Sequence, residues 1–194
     1  MANQIYQVQV TLKDSKPKIW RRLLIPSDML LADLHKVIQT SMGWTNSHLH
    51  QFIKDKKFYE VRQPDDDFWN DFKSIDYKKK KIRVSDLLPA EKETMIYEYD
   101  FGDGWEHVIT LEKILPMEEG RKYPTCVAGK MACPPEDCGG VWGYAEMLKT
   151  IQQPEHEDYN DTIEWLGEDF EPEYFNIDEI NDFLGEKNYG CISF

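Results

Sequence analysis

Hydrophobic and polar positions alternate almost from the start of the chain. In "IYQVQVTL" Tyr6, Val8, Val10 and Leu12 fall on one side, the pattern of a strand with one buried face. "KDSKPK" supplies turn residues and "IWRRLLI" reads as a second strand. Residues 4–25 therefore predict an antiparallel hairpin, ended by Pro26 and Ser27. The period then changes. Leu30, Leu31, Leu34, Val37, Ile38 and Met42 recur at spacings of three and four, which predicts an amphipathic helix of about three turns. Gly43 is its C-terminal stop. "HLHQFIKDKKFYEV" predicts short strands turning at Asp55-Lys56. Strand, strand, helix, strand is a β-grasp-like order, in which a helix covers the apolar side of a sheet.

Residues 63–74, "QPDDDFWNDFKS", break the pattern and predict a loop, pinned by Phe68, Trp69 and Phe72. Lys78 to Lys81 read as a charged strand edge or turn, with an anion-binding patch as the alternative. "MIYEYDF" and "WEHVITLEKIL" are strand-like, and Gly102-Asp103-Gly104 between them signals a turn. On the second of these strands Trp105, His107, Ile109 and Leu111 share a face, so His107 belongs to the core side or a pocket wall. From Glu118 to Gly143 no period is visible, and the stretch predicts a long ordered loop of a kind that is usually functional or metal-stapled. Helical patterns follow at 144–152, 155–166 and 178–184, the last with Asn176 near its cap.

The pattern thus predicts an α+β fold with a mixed or antiparallel sheet. Its N-terminal part is β-grasp-like and its C-terminal part is helical and acidic. We read residues 1–194 as a single domain, sheet-rich over 1–115, with loops and helices over 116–194. Hydrophobic residues make up 41% and aromatics 13%, enough for a packed core. No apolar run approaches the roughly 18 residues of a membrane span, and "MANQIYQVQV" is not a secretory signal, so a cytoplasmic protein without membrane contact is expected.

Charge changes the picture. The net charge is −13. Residues 1–90 hold 16 Lys and Arg against 11 Asp and Glu, a balance of +5, whereas residues 91–194 hold 7 against 25, a balance of −18. That acidity opposes general phosphate-backbone binding and suits a protein partner with a basic surface. A local basic face from Lys16, Lys18, Arg21 and Arg22 keeps DNA association open as a weaker, resolvase-like alternative.

Six segments taken in order carry a resemblance. They are "KPKIWRRLLIPSD" (17–28 and its preceding lysine), "LADLHKVIQTSMGW" (31–44), "SHLHQF" (47–52), "YEYDFGDGWEHVITLEKI" (97–114), "CPPEDCGGVWGY" (133–144) and "EHEDYNDTIEWLGEDFEPEYF" (155–175). Together they resemble the plasmid pRiA4b ORF-3-like family over nearly the whole chain. The resemblance implies a small α+β fold and a link to mobile elements. It transfers no catalytic residues, because the family has none established.

Two clusters carry candidate chemistry. Cys126, Cys133 and Cys138, with His107 as a fourth ligand, form a set for structural zinc, although the paired C-x₂-C knuckle is missing. A reduced cysteine is equally a small buried hydrophobe. His48, His50, Asp100, Asp103 and His107 form a candidate polar pocket, able to hold a metal or to move protons near neutral pH. The plainer reading is that the aspartates bond turn amides and that His107 is a satisfied core histidine. Glu136 and Asp137 in "PPED" are either site carboxylates or caps for the next helix. P-loop, dinucleotide and G-x-S-x-G signatures are missing, and His156-Glu157 lacks the second histidine of a zincin because position 160 is Asn. Two functions follow as expectations: a binding module for a partner protein, or a metal-dependent hydrolase with a His/Asp site.

Overall fold

The computed structural model describes residues 4–61, 74–167 and 169–192. The predicted loop with Phe68, Trp69 and Phe72 lies outside them, apart from Ser74. Among the described residues there are eight strands: β1 (Gln4–Leu12), β2 (Trp20–Pro26), β3 (His50–Lys54), β4 (Lys57–Glu60), β5 (Ile75–Asp76), β6 (Thr94–Tyr99), β7 (Trp105–Pro116) and β8 (Thr125–Lys130). They form one sheet in the order β5-β4-β3-β6-β7-β1-β2-β8. Every neighbouring pair is antiparallel except β4 with β5. Among the described residues the helices are α1 (Leu31–Met42), α2 (Tyr77–Lys80), α3 (Val84–Leu87), α4 (Gly140–Thr150), α5 (Tyr159–Leu166) and α6 (Ile177–Leu184). None is long and apolar enough to cross a membrane.

The alternation at the start of the chain does what it predicts. Tyr6, Val8, Val10 and Leu12 are buried on one face of β1, and Trp105, His107, Ile109 and Leu111 are buried on β7, which pairs with it. A one-residue slip would turn both rows to solvent, and each such side chain is worth about 1.5–3 kcal/mol of burial. The sheet is larger than a four-element β-grasp core: β6 and β7 stand between β3 and β1. The reason lies in β7, whose length lets it pair with β6 on one side and with all of β1 on the other.

Helix α1 buries Leu31, Leu34, Val37, Ile38 and Met42 in the core shared with the sheet. It ends at Gly43, whose φ of 95° is the left-handed conformation expected of a glycine stop. Its last turn is held by Arg21 of β2, which is 3% exposed. Arg21 Nε donates to the Ser41 carbonyl at 2.8 Å, and Nη1 donates to the carbonyls of Trp20 and Lys130 at 2.9 and 3.1 Å. A cation at a helix C-terminus complements the helix dipole. Arg22 makes a two-point ion pair with Glu112, its Nε and Nη2 at 2.6 and 2.7 Å from the two carboxylate oxygens. Neither arginine therefore belongs to the basic face expected from the sequence.

Three details differ from the sequence pattern. Strand β8 sits inside the stretch predicted to be irregular; only Cys126 in it is fully buried, so an edge strand leaves no alternation to read. The lysine run is a turn of helix, α2, capped by the Asp76 side chain, which accepts from the Lys79 amide. Helices α4 and α5 begin at Gly140 and Tyr159 rather than at the predicted 144 and 155. At α6 the expectation holds: Asn176 is the cap, and its side chain accepts from the amides of Asp178 and Glu179.

The core also buries histidines. His35 of α1 stacks on His50 of β3 with ring centroids 3.5 Å apart. His35 Nε2 lies 2.8 Å from Asn46 Oδ1, an oxygen that only accepts, so Nε2 carries the proton. Nδ1 is then the acceptor for the Tyr97 hydroxyl at 2.9 Å. Burial holds His35 down to about 4 and His50 well below its ordinary value. Burial also holds His107 down to about 4. A histidine kept neutral in the fold but free to charge when unfolded stabilises fully above its unfolded pKa of about 6.5 and loses that contribution as pH falls toward the folded value. We therefore predict a urea midpoint that falls between pH 6.5 and pH 5, a window above the titration of most carboxylates, by up to about 1.4 kcal/mol per histidine per pH unit. A flat stability profile over that window would contradict the buried neutral trio.

Candidate functional site

Three connections meet at one end of the sheet: 43–49 between α1 and β3, 100–104 between β6 and β7, and 131–139 between β8 and α4. Each is shaped by local chemistry. Asp100 adopts a left-handed φ of 55°, which short polar side chains tolerate because they bond their own backbone. Its carboxylate accepts from the Gly102 amide at 2.9 Å, its carbonyl accepts from the Gly104 amide at 2.6 Å, and its own amide donates to the Leu49 carbonyl at 2.9 Å. The last bond ties the second connection to the first.

The third connection is held by Glu136. Its carboxylate accepts from the Tyr99 hydroxyl and from the Thr45 hydroxyl, and from the Thr45 amide at 3.2 Å. The Tyr99 oxygen in turn accepts from the amides of Ser47 and His48 at 2.9 and 3.3 Å. Beneath these groups Trp44 stacks on Tyr99, centroids 5.0 Å apart, and its indole N–H donates to the Pro134 carbonyl at 3.0 Å. The Asp103 side chain accepts from the Gly139 amide at 3.2 Å. Gly140 comes so close that an added Cβ would lie 2.4 Å from the Asp103 carbonyl oxygen.

This packing places His48 between two carboxylates. Its Nδ1 is 3.7 Å from Asp100 Oδ1, and its Nε2 is 3.4 Å from Asp137 Oδ1. The side chains of Asp100 and His48 are 11% and 26% exposed and that of Asp137 is 74% exposed, so the group is walled on one side and open on the other. Each residue offers a ligand atom within 4.8 Å of the others'. Among the described residues it is the sole His, Cys, Asp and Glu group with this property.

The residues singled out in the sequence divide between two places. His48, Asp100 and Asp103 lie in the junction of the three connections. His50 and His107 lie in the aromatic core: His50 Nε2 is 2.6 Å from the Tyr77 hydroxyl, and His107 Nδ1 is 3.4 Å from the Tyr97 carbonyl. Cys126 sits on edge strand β8, while Cys133 and Cys138 flank "PPED". No three of Cys126, Cys133, Cys138 and His107 bring ligand atoms within 4.8 Å. Burial raises all three thiols, Cys138 to about 12. The sequence pattern passed over Thr45 and Tyr99. Their only signal is the polar run "WTNSH" directly after a helix stop, and a tyrosine on the buried face of a strand reads as packing.

The segments that build this junction are also those that carry a family likeness. The sequence model described as "Plasmid pRiA4b ORF-3-like protein" matches residues 4–179. The chain belongs to the pRiA4b ORF-3-like family. It is 39% identical over 187 residues to an uncharacterized protein, y4hQ, of Sinorhizobium fredii (strain NBRC 101917 / NGR234), covering 93% of this chain and 91% of that one. It is also similar to a crystal structure of a protein of unknown function, MM3350 from Methanosarcina mazei Go1. There the identity is 40% and the TM-score 0.81, over 92% of this chain and 98% of the other.

In this pRiA4b ORF-3-like chain the close approach at Gly140 is a specific requirement. Its φ of 68° strains any side chain, and the Cβ would strike the Asp103 backbone rather than a side chain that can swing away. Gly140→Ala is expected to lower stability by about 2 kcal/mol or more, read as a lowered urea midpoint. An unaltered midpoint would show that the third connection does not pack against the second.

Proposed function

We propose that this junction is the working site of the protein, that His48, Asp100 and Asp137 hold one divalent metal ion there, and that the site serves a hydrolytic reaction. The gathering of three ligand atoms within 4.8 Å, from three segments distant in sequence, carries the reading. One imidazole and two carboxylates are a mixed N/O set that suits zinc, manganese or ferrous iron. Three protein ligands with one open side match catalytic rather than structural sites, where a bound water is activated for attack. The remaining residues position rather than react. Both oxygens of Glu136 are engaged by Tyr99 and Thr45, so this carboxylate fixes the third connection. Asp103 holds the Gly139 amide and through it the chain next to Asp137.

The expected result is one equivalent of Mn²⁺ or Zn²⁺ bound in a calorimetric titration, lost in His48→Ala and weakened in Asp137→Asn. Asp137 is exposed, so that variant tests the ligand without threatening the fold. Binding that survives in His48→Ala but disappears in Cys133→Ser/Cys138→Ser would move the metal to the cysteines. No binding at millimolar metal would remove the proposal.

A second reading, an interaction module for a partner with a basic surface, is supported by the rim of the same junction. Leu49, Phe101 and Trp142, beside His48, Asp100 and the start of α4, are 65%, 47% and 77% exposed. Among the described residues, no Lys or Arg pairs with the acids of 155–186. A lysine- and leucine-rich probe peptide should bind, and about 0.5 M salt and Trp142→Ala should each weaken it. A peptide indifferent to Trp142 would set this reading aside.

A further inference from the structure

A cavity of about 270 Å³ opens between the end of α1, residues 132–135 and α6. Met42, Pro134, Phe175, Ile180 and Phe183 give it an apolar lining, and Arg21 forms part of its wall. That is many times the space one water molecule needs, about 10–15 Å³ on the same measure.

Arg21 is the unusual member. A guanidinium carries five N–H donors. Nε and Nη1 use three of them on the carbonyls of Ser41, Trp20 and Lys130. Nη2 donates to no described residue, yet it is not one of the fully enclosed polar atoms that lack a partner. It therefore keeps contact with open space, and the open space Arg21 lines is this cavity. Phe175 lies over the guanidinium, centroid 5.0 Å from Cζ, covering a face and leaving the edge free.

Among the described residues no carboxylate pairs with Arg21. The neighbouring thiols of Cys126 and Cys133 are pushed up by burial, so they stay neutral and supply no countercharge. The acid that lines the cavity, Glu179, is exposed at its mouth and accepts from the Tyr174 hydroxyl at 3.0 Å. Three carbonyls satisfy part of the guanidinium, but a buried cation without a countercharge remains unfavourable, and a fitted anion relieves it.

We propose that this cavity binds a small monocarboxylate with an apolar body, its carboxylate at Arg21 Nη2 and its hydrocarbon part against Met42, Phe175 and Phe183. The lining selects the apolar body. Glu179 at the entrance selects a single negative charge over the two of inorganic phosphate. The site stands on different residues from the metal group and does not depend on it.

Calorimetry with phenylacetate and its neutral isostere phenylacetamide tests the assignment. A charge-assisted hydrogen bond predicts that phenylacetate binds at least about tenfold tighter. Arg21→Lys should abolish that preference, but Arg21 also closes α1, so this variant is open to misfolding. Glu179→Gln avoids the difficulty: it changes an exposed side chain and should tighten phenylacetate several-fold by removing a like charge. Equal affinity for the acid and the amide overturns the proposal. So does an absence of binding at about 10 mM, an affinity indifferent to Glu179→Gln, or tighter binding of inorganic phosphate.

Discussion

A phenol oxygen has two lone pairs and one proton, and Tyr99 uses all of them to join separate parts of the chain. It accepts the amides of Ser47 and His48 and donates to Glu136, so one atom fastens the connection before β3 to the one before α4. Tyr99 itself is the last residue of β6, fully buried, and directly precedes Asp100. Its position is therefore set by the sheet, not by the loops. The geometry of His48, Asp100 and Asp137 inherits that rigidity. A loop is otherwise more mobile than the elements it connects, and these bonds to a strand end are what restrain it.

Arg21 plays the matching part on the other side of the same loop. It joins β2, β8 and the last turn of α1 through three carbonyls, and the cavity beside it is bounded by residues 132–135. The "CPPED" segment thus divides two environments. Pro134 and Pro135 face the apolar cavity, while Glu136 and Asp137 face the junction. Two prolines in succession limit the backbone freedom of this divider. Trp44, bonded to the Pro134 carbonyl and stacked on Tyr99, spans both sides. A ligand on either side meets the same stiff loop.

Much of the fold was legible because burial writes a period into the sequence. Alternation marked β1 and β7, the three-four spacing marked α1, and Gly43 and Asn176 marked helix ends whose backbone needs those residues. Where burial is partial the period vanishes, and β8 with its single deeply buried Cys126 went unseen. The site was half legible. His48, Asp100 and Asp103 stand out as polar residues in turns, but their grouping with Asp137 depends on the approach of Gly140 to Asp103, which is a contact between distant segments. His50 looked equivalent to His48, two residues away on the same strand face. Only the packing of α1 separates them, by covering His50 with the ring of His35.

That cover connects the core to the site. Asn46 accepts from His35 Nε2, and its amide donates to the Gln39 side chain at 3.0 Å, whose nitrogen donates to the Tyr97 hydroxyl at 2.9 Å. Thr45 and His48, which reach Glu136 and the two aspartates, lie within two residues of Asn46 on either side. A neutral His35 accepts from Tyr97 with one nitrogen and donates to Asn46 with the other. A charged His35 has two donors and no acceptor, so the Tyr97 hydroxyl can no longer donate to it. The bond that protonation breaks is therefore the one to Tyr97, while Nε2 donates to Asn46 in either state. The core and the first connection thus share one network of hydrogen bonds, and acid that reaches His35 breaks it on the core side, at Tyr97.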